Sequence, residues 1–109
     1  MAYDEGLAER IRGILIDEAG VSEKRMFGGL AFLVRGNMCV GVVKEQLMVR
    51  VGPQAYEELV GQPHAHAMDF TGRPMKGLLF VETEGLDSDA DLARWVAHGL
   101  AFTKSLPKK

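Results

Sequence analysis

The spacing of apolar residues predicts a long helix near each end of the chain. In residues 5–19 the apolar positions fall three or four apart, which is the spacing of one helix face, and Gly20 is suited to follow the helix end. Residues 87–105 repeat the pattern, with Asp87 or Ser88 as the capping residue. The stripe that this second helix should bury consists of Leu92, Trp95, Val96, Leu100 and Phe102.

The middle of the chain has the pattern of strands. Residues 26–34 and 38–43 are almost continuously apolar, and Gly36-Asn37 between them is typical of a two-residue type II′ hairpin turn. Residues 47–51 alternate between apolar and polar side chains. Together the three segments predict an antiparallel meander that buries one face.

The second half of the chain returns to a helix before its last strands. Gly52-Pro53 favours a helix start, and Gly61 is suited to follow its end. Residues 62–69 suit either a loop or an edge strand, whereas residues 75–82 predict a strand. This order predicts an α+β fold, in which the N- and C-terminal helices pack on one face of a single antiparallel sheet.

Length and composition indicate the number of domains and the cellular compartment. A chain of 109 residues is the size of one domain, so we expect residues 1–109 to form a single domain with mobile ends at about 1–4 and 106–109. No apolar run approaches the roughly 20 residues of a membrane span, and the N-terminus lacks a signal pattern. The single cysteine excludes an internal disulfide. We therefore expect a cytoplasmic protein with no membrane partner.

The charge balance disfavours direct nucleic-acid binding. The formal net charge is −2, and only Lys104, Lys108 and Lys109 cluster. A protein that binds nucleic acid usually carries a concentrated basic face, because phosphate contacts supply much of the affinity. We expect no direct contact with DNA or RNA.

Structural roles are favoured for the residues most suited to chemistry. Cys39 lies in a predicted strand, whereas a nucleophilic cysteine needs an electropositive, partly exposed setting. His64 and His66 offer two ligands, but zinc sites need three or four and no suitably spaced Cys or His follows. The sequence therefore predicts no catalytic residue, no metal site and no cofactor.

Four cations are the candidates for contact with a ligand or a partner. A cleft near them could hold an anion, although unrelated, exposed surface charges are the favoured interpretation. They are Arg25, Arg50, Arg73 and Lys76.

A family resemblance begins at Arg25-Met26-Phe27-Gly28-Gly29, a basic-Met-Phe-Gly-Gly segment that follows the first helix. This segment resembles the opening of the N-terminal domain of the TfoX/Sxy family. The resemblance covers nearly the whole chain, because further short motifs follow in the same order. They are Gly36-Asn37-Met38, Leu47-Met48-Val49-Arg50-Val51, Gly72-Arg73-Pro74-Met75-Lys76-Gly77 and the helix with Leu92 and Trp95.

The resemblance implies an α+β domain of bacterial competence regulators, which act in transcription alongside the cyclic-AMP receptor protein. No catalytic residues are established for this domain. The two-domain members carry a second, C-terminal domain, whereas this sequence stops at Lys109, so we expect a stand-alone N-terminal module. Its expected function is non-enzymatic protein interaction, with the transcription machinery or with itself as a homodimer. The alternative is a small-molecule (anion)-binding or enzymatic domain that uses the cleft near the four cations.

The remaining motif residues are expected to be structural. Trp95 should lie in the core, and Met26-Phe27 should open the apolar strand that Gly28 and Gly29 enter. Two consecutive glycines, Gly28 and Gly29, cost backbone entropy unless a bulge, a close helix crossing or a positive φ requires them. The rival hypothesis is that this glycine pair forms a backbone cradle for an anion.

Overall fold

The fold is built on one antiparallel sheet of six strands, in the order β1-β2-β3-β4-β6-β5. The computed structural model describes residues 3–26, 28–67 and 77–107, and these elements belong to those ranges. The strands are β1 Val21–Met26, β2 Gly29–Val34, β3 Asn37–Val43, β4 Gln46–Arg50, β5 Ala65–Ala67 and β6 Leu78–Val81. The helices are α1 Glu5–Ile14, α2 Pro53–Leu59 and α3 Asp89–Lys104, and a 3₁₀ turn spans Thr83–Leu86.

The two faces of the sheet can be followed along rows of cross-strand partners, because residues that pair directly across strands point to the same face. One row runs Arg25, Leu30, Val42, Leu47 and Val81. From Leu30 onwards its side chains belong to the main core that α1 and α3 cover, so we call this the helix face. The neighbouring row, on the opposite face, runs Lys24, Ala31, Gly41, Met48 and Phe80.

The core forms because α1 and α3 each bury an apolar stripe on the helix face. Leu7 and Ile11 of α1 are buried, and Trp95 of α3 is only 1% exposed. The α+β fold with the terminal helices on the sheet is therefore confirmed. Within the described ranges, none of the helices combines the length and apolar character needed to cross a membrane.

Helix α1 is shorter than its apolar spacing predicts. It ends at Ile14 rather than near residue 19, because the chain must turn early to enter the sheet. The carbonyl of Gly20 (φ +77°) accepts a hydrogen bond from the Arg35 amide at 2.9 Å, which fixes the start of β1 beside the next hairpin. At the other end of α1, the Asp4 side chain caps the helix by accepting from the Leu7 amide.

Strand β1 is absent from the sequence prediction, which begins the first strand at Met26, where β1 ends. The strand lies at the sheet edge, and its exposed Ser22, Glu23 and Lys24 break the apolar pattern. The next turn is also displaced by one residue. Arg35 and Gly36 both have positive φ, so this turn is of type I′ rather than type II′.

Replacing Trp95 with Ala should lower the free energy of unfolding by about 3–5 kcal/mol, because it opens a cavity where α3 meets the sheet. Ile16→Ala is the matched control, since Ile16 is 78% exposed and its loss should cost less than about 0.5 kcal/mol. Urea unfolding followed by circular dichroism measures both. Equal midpoints for the two variants would contradict this placement of α3.

Candidate functional site

The described members of the predicted cation cluster do not converge. Arg25 pairs with Leu30 and therefore points to the helix face. Arg50 pairs with Leu78, which packs against Met48 and Phe80 on the opposite face. Arg25 and Arg50 also lie on strands that β2 and β3 separate, about 14 Å apart across the sheet, so the two residues do not form one cluster. The other two members, Arg73 and Lys76, lie outside the described residues.

Arg50 has a distinctive environment at the end of β4. Its side chain is half-buried, and its guanidinium carbon lies 5.3 Å from the centroid of the Phe102 ring. A cation over an aromatic face is stabilised by the ring quadrupole. Among the described residues no carboxylate forms an ion pair with Arg50, in contrast to Arg10, Arg12 and Arg94. Its hydrogen-bond donors thus remain available at the surface.

The Phe102 ring also packs against the chain at the start of α2. Gly52 has φ +85°, and a Cβ atom there would lie 2.3 Å from the Cδ1 atom of Phe102. Only glycine fits this position, for both its backbone angle and its contact with the ring. The amides of Val51 and Gly52 donate to the Gly77 carbonyl at 2.8 and 3.2 Å, which holds the segment in place.

These contacts open a groove of about 480 Å³ between α2 and the C-terminal half of α3. This volume is in the range of ligand-binding clefts, and the lining is mainly apolar with a few polar groups, as such clefts usually are. Among the residues that the structure describes, no Asp or Glu lines it. We call it the α2–α3 groove; its lining comprises Val51, Gly52, Pro53, Gln54, Ala55, His98, Ala101, Phe102 and Ser105.

His98 is the polar residue of this groove with the most chemical versatility. Its ring is half-buried, 5.8 Å from the Trp95 ring, and its nitrogens form no hydrogen bond with any described residue. Sequence reasoning missed it. The signal was present, because His98, Ala101 and Phe102 recur three or four apart and form a stripe beside the buried one.

A second and larger cleft, of about 690 Å³, has a different character. It is lined by Glu45, Glu82 and Glu84, with Lys44, Gln46 and Thr83. Close by, the Nε2 atom of His66 lies 3.8 Å from a carboxylate oxygen of Glu82. Within the described ranges, no three His, Cys, Asp or Glu side chains are grouped as a metal ion would require.

Of the two clefts, we favour the α2–α3 groove as the candidate functional site, because its apolar lining and aromatic ring can bury a ligand.

Cys39 is a buried structural residue in a bulge of β3. Phe32 pairs with Val40 and Leu33 pairs with Met38, so Cys39 is the additional residue between them. The Cys39 thiol is fully buried, and burial raises its pKa to about 11. It therefore stays protonated at neutral pH, which is unsuited to a nucleophile.

The glycine pair is explained by backbone geometry. Gly28 has φ +73°, and a Cβ atom there would have no heavy atom outside the neighbouring residues within 4 Å. A Cβ atom on Gly29 would lie 2.0 Å from the carbonyl oxygen of Val42, because β2 approaches β3 closely there. The backbone of Met26 pairs with Gly29, whereas Phe27 lies outside the described residues.

Comparisons with known proteins found one family. The family model described as the TfoX N-terminal domain matches residues 14–103 of the 109 residues. This range includes every strand of the sheet and nearly all of α3. No match was found among curated proteins or among solved structures.

Gly29→Ala should destabilise the protein by more than about 3 kcal/mol, because the added methyl group collides with backbone that cannot move aside. Gly28→Ala should cost only about 1–2 kcal/mol, the strain of a positive φ, and Gly28→Asn should cost less. Thermal and urea melts measure all three. If Gly29→Ala keeps the parental stability, the anion-cradle hypothesis becomes the better one.

Alkaline pH should weaken the fold through Cys39. The pKa of its thiol is higher in the folded state than the ordinary 9.0. The contribution of the protonated thiol to the free energy of unfolding is therefore complete below pH 9 and is lost as pH rises towards 11. Between pH 8 and 10.5 the parent should lose about 2 kcal/mol more stability than Cys39→Ala. Urea unfolding at both pH values measures this difference; identical losses would show that the folded-state thiol is not shifted.

Proposed function

The chain belongs to the TfoX N-terminal domain family, and from this premise we propose that it is a non-enzymatic protein-interaction module in transcriptional regulation. The observation that carries the proposal is the α2–α3 groove with Arg50 stacked on Phe102. Membership supports a module like those of competence regulators. The groove supplies a surface through which such a module could recognise a partner.

The chemistry of the groove favours one class of partner. Its apolar lining would accept an apolar side chain, and Arg50 would pair with a neighbouring carboxylate. Both interactions would be made by a peptide segment that presents an aliphatic or aromatic residue beside Asp or Glu. We propose that a protein of the transcription machinery provides this segment. Such a role requires a cytoplasmic location, which is part of the same proposal.

Direct DNA binding is not part of this function. Several cations of the described chain are engaged with acidic neighbours: Arg10 with Asp89, Arg12 with Glu9 and Glu23, Arg94 with Asp91, and Lys104 with Glu18. Cations that neutralise acidic neighbours provide little attraction for phosphates. A salt-sensitive shift of duplex DNA at sub-micromolar protein would contradict this part.

The non-enzymatic part rests on the character of the reactive groups. The one thiol is buried and protonated at neutral pH. His98 has no hydrogen-bonded carboxylate among the described residues to orient it as a general base. The groove is therefore better suited to binding than to proton transfer.

Ala101→Glu should abolish partner capture, because it introduces a negative charge into the groove opposite the proposed carboxylate. Ala97→Glu is the matched control: both alanines are exposed on α3, one turn apart, and Ala97 is not part of the groove lining. Affinity purification from the host with quantitative mass spectrometry measures capture. We expect the captured amount of one regulatory protein to fall at least tenfold with Ala101→Glu and to stay unchanged with Ala97→Glu.

Arg50→Gln should weaken binding of the same partner without unfolding the protein, since Arg50 has no ion pair to lose among the described residues. Equal capture by the parent, Ala101→Glu and Arg50→Gln would exclude the groove as the interaction surface. Binding of a small carboxylate or phosphate at the groove, detected by calorimetry and lost with Arg50→Gln, would instead favour the anion-binding alternative.

A further inference from the structure

Strand β1 presents an unoccupied edge at one end of the sheet. It is six residues long, it pairs with β2 on one side, and no described strand lies on its other side. Ser22, Glu23, Lys24 and Arg25 are all exposed, so the described chain does not cover this edge. An exposed edge of this length is a template for another strand.

The backbone groups of β1 alternate in direction. The Gly20 carbonyl accepts from the Arg35 amide, and the register runs without interruption from that pair to Met26 and Gly29. Hydrogen-bonded pairs alternate with non-hydrogen-bonded pairs in an antiparallel ladder. Even-numbered residues of β1 therefore bond to β2, whereas Val21, Glu23 and Arg25 direct their amides and carbonyls outwards.

We propose that two copies of this chain pair through β1, antiparallel and about a two-fold axis at Lys24. In this register Glu23 of one protomer faces Arg25 of its partner, and Arg25 faces its partner's Glu23. The four outward amides of these residues form four backbone hydrogen bonds across the axis. Opposite charges directly across two strands are stabilising.

The charges select this register over its neighbours. A two-fold axis perpendicular to the sheet leaves each face of the sheet on its own side, so each residue must pair with one an even number of positions away. The axis must therefore pass through a residue of β1 rather than between two residues. An axis at Glu23 would bring two identical carboxylates together, and an axis at Ser22 would leave Glu23 facing Val21. Only the axis at Lys24 pairs each carboxylate with a guanidinium.

The geometry around Glu23 prepares it for this contact. The Arg12 Nε and NH2 atoms donate to its two carboxylate oxygens at 2.7 and 2.8 Å, which fixes the side chain above the edge of the helix face. The Arg12 guanidinium also lowers the pKa of Glu23, so the carboxylate is ionised at neutral pH. Each Glu23 keeps lone pairs for the partner's Arg25.

One feature weakens the dimer. Lys24 faces its own copy across the axis, on the opposite face of the sheet, and two like charges directly opposite each other are destabilising. Removing this repulsion with Lys24→Thr should tighten the dimer severalfold. The dimer surface lies apart from the α2–α3 groove, since neither β1 nor β2 contributes to the groove lining. This proposal therefore does not depend on the proposed function.

Disulfide trapping tests both the pairing and its register. In the proposed dimer, residue 24 of each copy forms a non-hydrogen-bonded pair, about 4.5 Å between Cα atoms, which a disulfide can span. Ser22→Cys is the matched control, because its two copies would stand about 13 Å apart along the strands. Under copper-phenanthroline oxidation, Lys24→Cys should form covalent dimers at least tenfold faster than Ser22→Cys. The parent, whose Cys39 is buried, should form none.

Sedimentation of charge variants provides a second measurement. Arg25→Glu alone and Glu23→Arg alone should each weaken the dimer at least tenfold, because both place like charges across the axis. An equimolar mixture should recover dimers, since the mixed pair places Glu opposite Arg at both positions. Fluorescence of the buried Trp95 verifies folding. Equal trapping of Lys24→Cys and Ser22→Cys, faster trapping of Ser22→Cys, or a mixture that stays monomeric would each overturn the proposal.

Discussion

Helix α3 crosses the sheet at Gly99, where a Cβ atom would lie 3.0 Å from the Cys39 carbonyl oxygen and 3.1 Å from its sulfur. The helix can approach so closely because Gly99 has no side chain and because the bulge in β3 turns both Cys39 and Val40 towards it. Trp95 and Thr103, one turn to either side, are buried in the same stripe. This crossing fixes the height and direction of α3 over the sheet.

The position of the α2–α3 groove follows from that crossing. Since α3 is held at Gly99, the next turn carries Phe102 onto the backbone of Gly52, whose positive φ leads the chain into Pro53. The contact between ring and backbone separates the start of α2 from α3 by a defined distance. It also places the ring next to the guanidinium of Arg50. The groove is thus a product of core packing, and a core substitution near Gly99 would alter it.

Local periodicity made much of the fold predictable, and tertiary contacts account for what was missed. The buried stripe of α3 was expected at Leu92, Trp95 and Val96, because a helix that packs on a sheet must repeat apolar residues every three or four positions. Strand β1 was missed because an edge strand has no such requirement. The type I′ turn was missed because Arg35 adopts a positive φ, which is uncommon for residues other than glycine.

The candidate site was the least predictable part, because it joins residues far apart in the sequence. Nothing near Gly52 indicates that Phe102 will lie against it, and the sequence pattern assigned Phe102 to the buried stripe although it is half-buried at the groove. Of the predicted cations, Arg50 lies beside the groove, but Arg25 lies on the edge strand β1, three strands away. The distance between two strands depends on the strand order of the sheet, which composition and local pattern do not determine.

The two proposed surfaces would act together if both are used. Pairing through β1 would leave each α2–α3 groove free, since the groove is lined by α2, α3 and the end of β4. A symmetric dimer would then present two identical grooves at a fixed separation. A partner with two copies of the recognised segment, such as a dimeric transcription factor, would bind the second groove intramolecularly. Effective concentration would raise its overall affinity without any new contact, so a weak groove and a weak edge could together produce a selective module.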